Sequence, residues 1–263
     1  MDLYIQKICF DKNAWQEDKE KNKPGESISA DDSLSYPFSI PAIRQFMETE
    51  SFSFKSPVTI FIGENGSGKS TLIEAIACCF GINPEGGSKN FNFSTYKSHS
   101  GLGNYMYYTR IRRPRDSYFL RAESFYNVIT EIERLDSEPD FSPPVKTGYG
   151  GVNLHEKSHG ESFFAVLKKR LRGNGLYVMD EPEAAVSVTR QLEMLQIIQQ
   201  LVKKDSQFIM ATHSPIIMAY PKADIIKIDE HGFSRIEYEA TEQYRVMHEF
   251  MCDYKKLLSN YGL

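Results

Sequence analysis

Eight consecutive residues, Gly63 to Ser70, read Gly-Glu-Asn-Gly-Ser-Gly-Lys-Ser and fit the phosphate-binding pattern G-x-x-x-x-G-K-[ST]. Such a loop points backbone N–H groups at phosphates, and the helix that follows it adds partial positive charge. Lys69 would reach the β- and γ-phosphates, and the Ser70 hydroxyl would bind Mg²⁺. The predicted phosphate-binding residues are Gly63, Glu64, Asn65, Gly66, Ser67, Gly68, Lys69, Ser70 and Thr71. The alternative is a glycine-rich turn without a ligand.

The segments on both sides of this loop favour the binding site over the plain turn. Residues 58–62 are a short apolar run typical of a buried strand, and residues 71–77 are typical of a helix. A strand, a glycine loop and a helix in that order are the context in which the pattern binds phosphate.

Two further apolar runs end in polar residues that could act on a bound phosphate. Residues 176–179 precede Asp180 and Glu181, and residues 208–212 precede His213. Open α/β sheets bind ligands at the carboxyl ends of their strands. We therefore expect Asp180 to hold Mg²⁺, Glu181 to polarise an attacking water, and His213 to contact the γ-phosphate or that water. The alternatives are a solvated acidic turn and a core histidine.

The sequence Asp180-Glu181-Pro182, with His213 33 residues after Asp180, resembles the ATP-binding-cassette ATPases. That family has a serine-glycine signature about 20 residues before the acids. Ser158 and Gly160 stand at this position, although the neighbouring residues 157, 159 and 161 depart from the usual Leu-Ser-Gly-Gly-Gln. The alternative is an ordinary helix N-cap at Ser158.

Other positions of the family are altered or undetermined here. No glutamine lies between residues 72 and 157, and Glu123 is the best substitute for the family's glutamine-loop residue as a ligand of Mg²⁺ or its water. Ser187 stands where a transporter subunit often has aspartate. The candidates for the aromatic that stacks on the base are Tyr4, Phe46, Phe52 and Phe54, and each is also a candidate core residue.

The resemblance implies an α/β P-loop NTPase fold with a mostly parallel central sheet flanked by helices, an antiparallel β subdomain and a small helical lobe. It also implies Mg-ATP hydrolysis in a head-to-tail homodimer, where Ser158 and Gly160 of one subunit complete the site of the other. Residues 1–263 would form one domain, with a variable lobe around 83–157 between the phosphate loop and the signature.

Composition is consistent with a cytoplasmic protein that does not insert into membranes. The 31 basic and 35 acidic side chains nearly balance, and no apolar run approaches the roughly 18–20 residues that cross a bilayer. The first residues lack the pattern of a signal peptide. The four cysteines show no metal-ligand spacing, so we expect them to be reduced. These are Cys9, Cys78, Cys79 and Cys252.

Three functions remain open at this stage. The first is an ATPase that drives a conformational cycle on a partner protein or nucleic acid, in DNA maintenance or phage defence. The second is the nucleotide-binding subunit of a membrane transporter, and the third is an ATP sensor that does not hydrolyse. Arginines and tyrosines interleaved over residues 105–121 could bind nucleic acid, form a solvated strand face or dock an acidic protein.

Three segments outside the site are predicted from pattern alone. We expect an exposed excursion over residues 11–35, a strand near residues 91–96, and a C-terminal helix over residues 241–259 that packs on the core.

Overall fold

A computed structural model describes residues 2–21, 35–89, 100–137, 143–151 and 159–262. Its centre is a seven-stranded sheet in the order β10-β9-β3-β8-β7-β6-β4. The five inner strands are parallel, and the edge strands β4 and β10 are antiparallel to their neighbours. These strands are β3 (Val58–Ile62), β4 (Gly87–Ser88), β6 (Asp116–Arg121), β7 (Gly175–Asp180), β8 (Gln207–Ala211), β9 (Asp224–Asp229) and β10 (Gly232–Arg235).

The central strands are buried on both faces, which explains their continuous apolar sequences. Every residue of β3, β7 and β8 is buried. Successive side chains along β7 alternate between two apolar layers: Tyr177 and Met179 pack on one side of the sheet, and Leu176 and Val178 on the other. Helices cover both faces, as the predicted fold class requires.

A second, three-stranded antiparallel sheet has the order β2-β1-β5. It consists of β1 (Lys7–Phe10), β2 (Ser51–Ser53) and β5 (Met106–Thr109). Its apolar residues Ile8 and Phe10 join the same apolar layer as Leu176 and Val178 of the central sheet. The expected antiparallel subdomain is therefore confirmed.

Eight α-helices are found in the described ranges. They are α1 (Lys12–Lys21), α2 (Pro41–Thr49), α3 (Lys69–Cys79), α4 (Phe125–Ser137), α5 (His159–Ala165), α6 (Val188–Lys203), α7 (Pro215–Met218) and α8 (Glu242–Asn260). A π-helical turn, Val166–Arg170, continues α5, and a 3₁₀ turn, Pro182–Ala185, follows the acids. Helix α6 begins at the N-cap Ser187, whose side chain accepts a bond from the Arg190 N–H.

Each of the three predictions made from pattern alone needs correction or lies wholly or partly outside the described residues. The excursion over residues 11–35 begins with helix α1, and its residues 22–34 are outside the described ranges, as is the predicted strand at 91–96. Helix α8 forms, but the prediction that it packs on the core is wrong, because none of its side chains is buried. Its apolar residues lie at helical spacing but are exposed, with Met251 at 77% and Val246 at 51%.

No helix in the described part of the chain is both long enough and apolar enough to span a bilayer.

Candidate functional site

The phosphate loop connects the end of β3 to the start of α3, as predicted. Gly63 and Gly68 have φ values of 156° and 96°, which favour glycine. A Cβ on Gly63 would lie 2.3 Å from the carbonyl oxygen of Ile228, and one on Gly68 would lie 3.0 Å from Ile40 Cγ2. The close packing of β9 and Ile40 against the loop therefore requires glycine at both positions.

Lys69, the first residue of α3, folds back over the loop. Its Nζ donates to the carbonyl oxygens of Gly63 at 2.9 Å and Glu64 at 2.8 Å. Burial lowers the pKa of Lys69, and the carboxylates of Glu181, Asp180 and Glu183 act against that shift. The ammonium group is thus held over the loop and near three acids.

Ser70 and Asp180 come together although 110 residues separate them in sequence. The Ser70 hydroxyl donates to Asp180 Oδ1 at 3.1 Å. Burial raises the pKa of Asp180 to about 6, although Arg121 and the Ser70 hydroxyl act to lower it. A hydroxyl and a carboxylate in contact are hard oxygen donors of the kind that Mg²⁺ takes. The donor set therefore fits the metal expected from the sequence.

The chain turns away from β7 at Glu181, whose backbone has the left-handed conformation with φ 47° and ψ 52°. That conformation is uncommon for a residue other than glycine and is found preferentially at functional sites. Glu181 Oε1 lies 3.8 Å from His213 Nε2. His213 Nε2 is buried and makes no hydrogen bond within the described ranges, and the same is true of Ser67 Oγ in the loop. Both atoms can bond to a ligand.

Glu183 connects the 3₁₀ turn Pro182–Ala185 to the segment after β8. Its Oε1 accepts the backbone N–H of His213 at 2.5 Å and that of Ser214 at 3.2 Å. Glu183 is not predicted from sequence, since nothing in the sequence pattern indicates a contact with a residue 30 positions away.

Arg121 also belongs to the site and was assigned by sequence to the basic and aromatic segment. It ends β6 in register with Asp180 on β7. Its guanidinium lies 2.9 Å from Glu74 Oε2, 3.1 Å from Glu123 Oε2 and 3.6 Å from Asp180 Oδ2. Burial acts to lower the pKa of Arg121, but the carboxylates of Asp180, Glu74 and Glu123 outweigh it and the pKa is raised. Arg121, like Asp180, is a charged residue at the carboxyl end of a parallel strand, so the pattern that predicts Asp180 also predicts Arg121.

A cleft of about 270 Å³ brings the metal-side residues together. Its lining comprises Ser70, Arg121, Ala122, Glu123, Asp180, Glu181 and Ala184. Glu123, the predicted additional metal ligand, lies at this cleft with its side chain 82% exposed and bonded to Arg121. Its role as a ligand stays a prediction.

The structure describes only one of the two predicted signature residues. Ser158 lies outside the described residues. Gly160 is in the first turn of α5, where a Cβ would lie 2.9 Å from the carbonyl oxygen of Ala185. The signature helix therefore approaches the loop that follows the acids.

The four candidate base-stacking aromatics are all buried, so none of them presents a free ring to a base. Tyr36 was not among the aromatic residues predicted from sequence, and it is 60% exposed. Its hydroxyl lies 3.2 Å from Oγ1 of Thr71, a predicted phosphate-binding residue.

The arginines and tyrosines of residues 105–121 do not form one surface. Tyr118 is buried, Arg121 is in the cleft, and Arg112 pairs with Asp205. Arg110 and Arg113 remain exposed. The predicted patch is therefore reduced to a smaller group of cations.

Comparison with known proteins supports the fold and the ATPase type that the sequence predicts. A family model described as AAA domain matches residues 38–243. The zinc import ATP-binding protein ZnuC of Wolbachia pipientis is 25% identical over 222 residues, which cover 81% of this chain and 82% of the relative. The xylose/arabinose import ATP-binding protein XylG of Sulfolobus acidocaldarius is 26% identical over 200 residues, covering 68% and 75%.

Solved structures similar to this chain include a nucleotide-free ATP-binding cassette from an ABC transporter, at 17% identity and a TM-score of 0.45, covering 76% of this chain and 87% of that one. The SMC head domain from Thermotoga maritima matches at 16% identity and a TM-score of 0.39, covering 71% and 93%. The family model spans most of the chain and includes the phosphate loop, both acids and the histidine. The chain belongs to the AAA domain family and is a P-loop ATPase of the ATP-binding-cassette type.

Proposed function

We propose that Mg-ATP binds between the phosphate loop and the paired acids, and that ATP-dependent dimerisation of the chain drives work on a partner. The observation that carries the binding mode is the contact between the Ser70 hydroxyl and the Asp180 carboxylate at 3.1 Å. Ser70 is the last residue of the phosphate-loop pattern. Asp180 ends the buried strand β7, which lies two positions from β3 in the sheet. This is the arrangement that a triphosphate with its metal requires.

The loop supplies most of the groups that would bind the triphosphate. Its backbone N–H groups and the start of α3 favour phosphate oxygens. The Ser67 hydroxyl, buried without a partner among the described residues, is free to donate to one of them. Lys69 would exchange its two carbonyl contacts for phosphate oxygens. Ser70 and Asp180 would hold Mg²⁺, which when bound neutralises developing charge on the transferred phosphoryl group.

Glu181 and His213 are the residues proposed to act on the attacking water. Glu181 would accept its hydrogen bond and polarise it, as a general base does. The free Nε2 of His213, 3.8 Å from the Glu181 carboxylate, would contact the γ-phosphate or the same water. Positioning and charge stabilisation supply the catalysis of phosphoryl transfer.

We propose that one subunit alone has an incomplete site. Ser158 and the bare backbone of Gly160 would contact the γ-phosphate that is bound to the partner's phosphate loop. Two ATP molecules would then be enclosed in a two-fold, head-to-tail dimer. ATP binding favours the dimer, and hydrolysis releases it.

Tyr36 is the residue we propose for the base. Its ring is exposed, and its hydroxyl lies 3.2 Å from Thr71 Oγ1 in the first turn of α3, beside the expected position of the phosphates. Aromatic rings stack on bases without regard to base identity.

The variant Glu181→Gln tests the hydrolytic mechanism. Loss of the carboxylate should slow ATP turnover about a hundredfold or more while ATP still binds. The variant should accumulate as an ATP-dependent dimer in size-exclusion chromatography. Glu193→Gln, a change at a half-buried acid on α6 that pairs with Arg190, serves as the control and should retain wild-type turnover. Normal turnover in Glu181→Gln would contradict the role assigned to Glu181.

Nucleic acid is one class of partner that the surface supports. Burial lowers the pKa of Lys89, and the charges of Arg110 and Arg113 lower it further, so the three cations lie near one another. A phosphate backbone would compensate such a group. Filter binding to DNA at increasing salt concentration tests this partner, and an affinity that does not change with salt would argue against it.

A second candidate function follows from the names of the relatives. Two curated proteins that match most of the chain are import ATP-binding proteins, so a transporter subunit is the alternative. In such a subunit the glutamine loop meets the membrane partner. Here no glutamine lies between residues 72 and 157, which favours a different partner. Co-purification with a membrane subunit would favour the transporter.

A further inference from the structure

The turn Pro182–Ala185 and the segment that carries His213 are connected by one side chain, that of Glu183. Both backbone N–H groups of the His213-Ser214 pair point at Glu183 Oε1, at 2.5 and 3.2 Å. Ser214 is also the N-cap of α7, whose first N–H groups donate to its hydroxyl. The position of His213 is thus set from one side by a helix and from the other by Glu183.

We propose that Glu183 is a positioning residue that fixes His213 relative to the turn after the acids, so that the orientation of the histidine depends on the position of that turn. This inference rests on the proposed function, in which His213 acts on the γ-phosphate or the water. Glu183 does not touch the reacting atoms in this arrangement. It acts through the backbone of His213.

The charge of Glu183 suits this role. A carboxylate that accepts two backbone N–H groups makes bonds roughly twice as strong as neutral ones. The loop backbone beside it is already unusual, because the preceding acid Glu181 has a left-handed conformation. A strong tether explains how the turn keeps that conformation and how Glu181 and His213 stay 3.8 Å apart.

The same turn is also in contact with the signature helix of its own chain. The Ala185 carbonyl leaves no room for a side chain on Gly160, so a shift of α5 has to move the turn. In the proposed dimer, α5 faces the nucleotide of the partner. Glu183 would therefore connect the position of α5, which reports on the second nucleotide, to His213 at the first. This gives the two sites a physical contact through which they can be coupled.

The variants Glu183→Ala and Glu183→Gln separate positioning from simple structural support. Glu183→Ala should lower kcat about tenfold to hundredfold, the size of effect expected when a catalytic group shifts by about 1 Å, with little change in KM. Glu183→Gln keeps an oxygen acceptor for both N–H groups and should stay within about fivefold of wild type. Glu230→Ala, an exposed acid in the turn before β10, is the matched control.

A second readout does not depend on turnover. Diethylpyrocarbonate modifies imidazole nitrogens, and the modification of His213 can be followed by mass spectrometry of its peptide. His213 Nε2 is buried in the wild type, so its modification should be several-fold faster in Glu183→Ala than in Glu183→Gln or Glu230→Ala.

The outcomes distinguish this inference from the proposed function. Unchanged kcat and unchanged His213 modification in a folded, ATP-hydrolysing Glu183→Ala protein would overturn the positioning role and leave the proposed function standing. Loss of activity in Glu183→Gln equal to that in Glu183→Ala would also overturn it, because an oxygen acceptor for the two N–H groups would then give no advantage over its removal. A wild type that binds no nucleotide would instead refute the proposed function.

Discussion

The buried Asp180 carboxylate should destabilise the nucleotide-free protein, and removing its charge should stabilise the fold. Burial raises the pKa of Asp180 from 3.8 to about 6. A difference of about two pKa units corresponds to about 3 kcal/mol. Because the folded-state pKa is the higher one, the contribution to stability is fully present below pH 3.8 and is lost as the pH rises through about 6.

The variant Asp180→Asn removes this titration while keeping an oxygen that can accept the Ser70 hydroxyl. In EDTA and without nucleotide, its free energy of unfolding should exceed that of the wild type by about 3 kcal/mol at pH 8 and by about half as much at pH 5. The first value is an upper bound, since an amide is also costly to bury. Urea unfolding at the two pH values measures the difference.

Asp205→Asn is a control of opposite sign. The hydrogen bond from Arg112 lowers the pKa of Asp205, so this carboxylate stabilises the fold at neutral pH and the contribution is lost as the pH falls through its folded-state pKa. Asp205→Asn should therefore be slightly destabilised at pH 8. The reasoning is refuted if Asp180→Asn is destabilised at pH 8, or if its gain in stability is the same at both pH values.

Two further predictions concern the glycines of the phosphate loop and a buried tyrosine of β7. Gly63→Ala should lose about 1–3 kcal/mol of stability, because its Cβ would meet the Ile228 carbonyl at 2.3 Å, and it should bind a fluorescent ATP analogue more weakly. Gly66→Ala meets no atom within 4 Å and should lose only about 1 kcal/mol, through its positive φ; equal losses in urea unfolding would contradict the role of the carbonyl. Tyr177→Phe removes a hydroxyl that donates to Asp116 and accepts from two backbone N–H groups; unfolding should show a loss of about 1–3 kcal/mol, and unaltered stability would contradict this.

The phosphate loop, the paired acids and His213 share one property: each follows an apolar run in the chain. The phosphate loop follows β3, the acids come at the end of β7, and His213 follows β8. Strands buried on both faces carry a continuous apolar pattern, and parallel neighbours end at the same edge of the sheet. Their meeting point could therefore be inferred without coordinates.

The residues that sequence missed are placed by contacts between distant segments. Arg121 was grouped with its arginine neighbours along the chain, although its partners Glu74 and Asp180 lie 47 and 59 positions away. Glu183 meets the backbone of His213, and backbone partners leave no trace in side-chain pattern. Helix α8 has apolar residues at helical spacing, but that spacing does not say whether another element lies against them.

Several unfavourable features of the protein lie at one edge of the sheet. Asp180 is a buried acid with a raised pKa, Glu181 has a left-handed backbone, and the polar atoms Ser67 Oγ and His213 Nε2 are buried without partners among the described residues. Each costs free energy in the absence of ligand, and a bound metal or phosphate would relieve the cost of the buried acid and of the two polar atoms. Ligand binding to the folded state alone stabilises it. Nucleotide and metal should therefore stabilise this edge of the sheet, because they would supply partners to buried polar groups that have none among the described residues. The groups that would act in catalysis would thus also contribute to the free energy of binding.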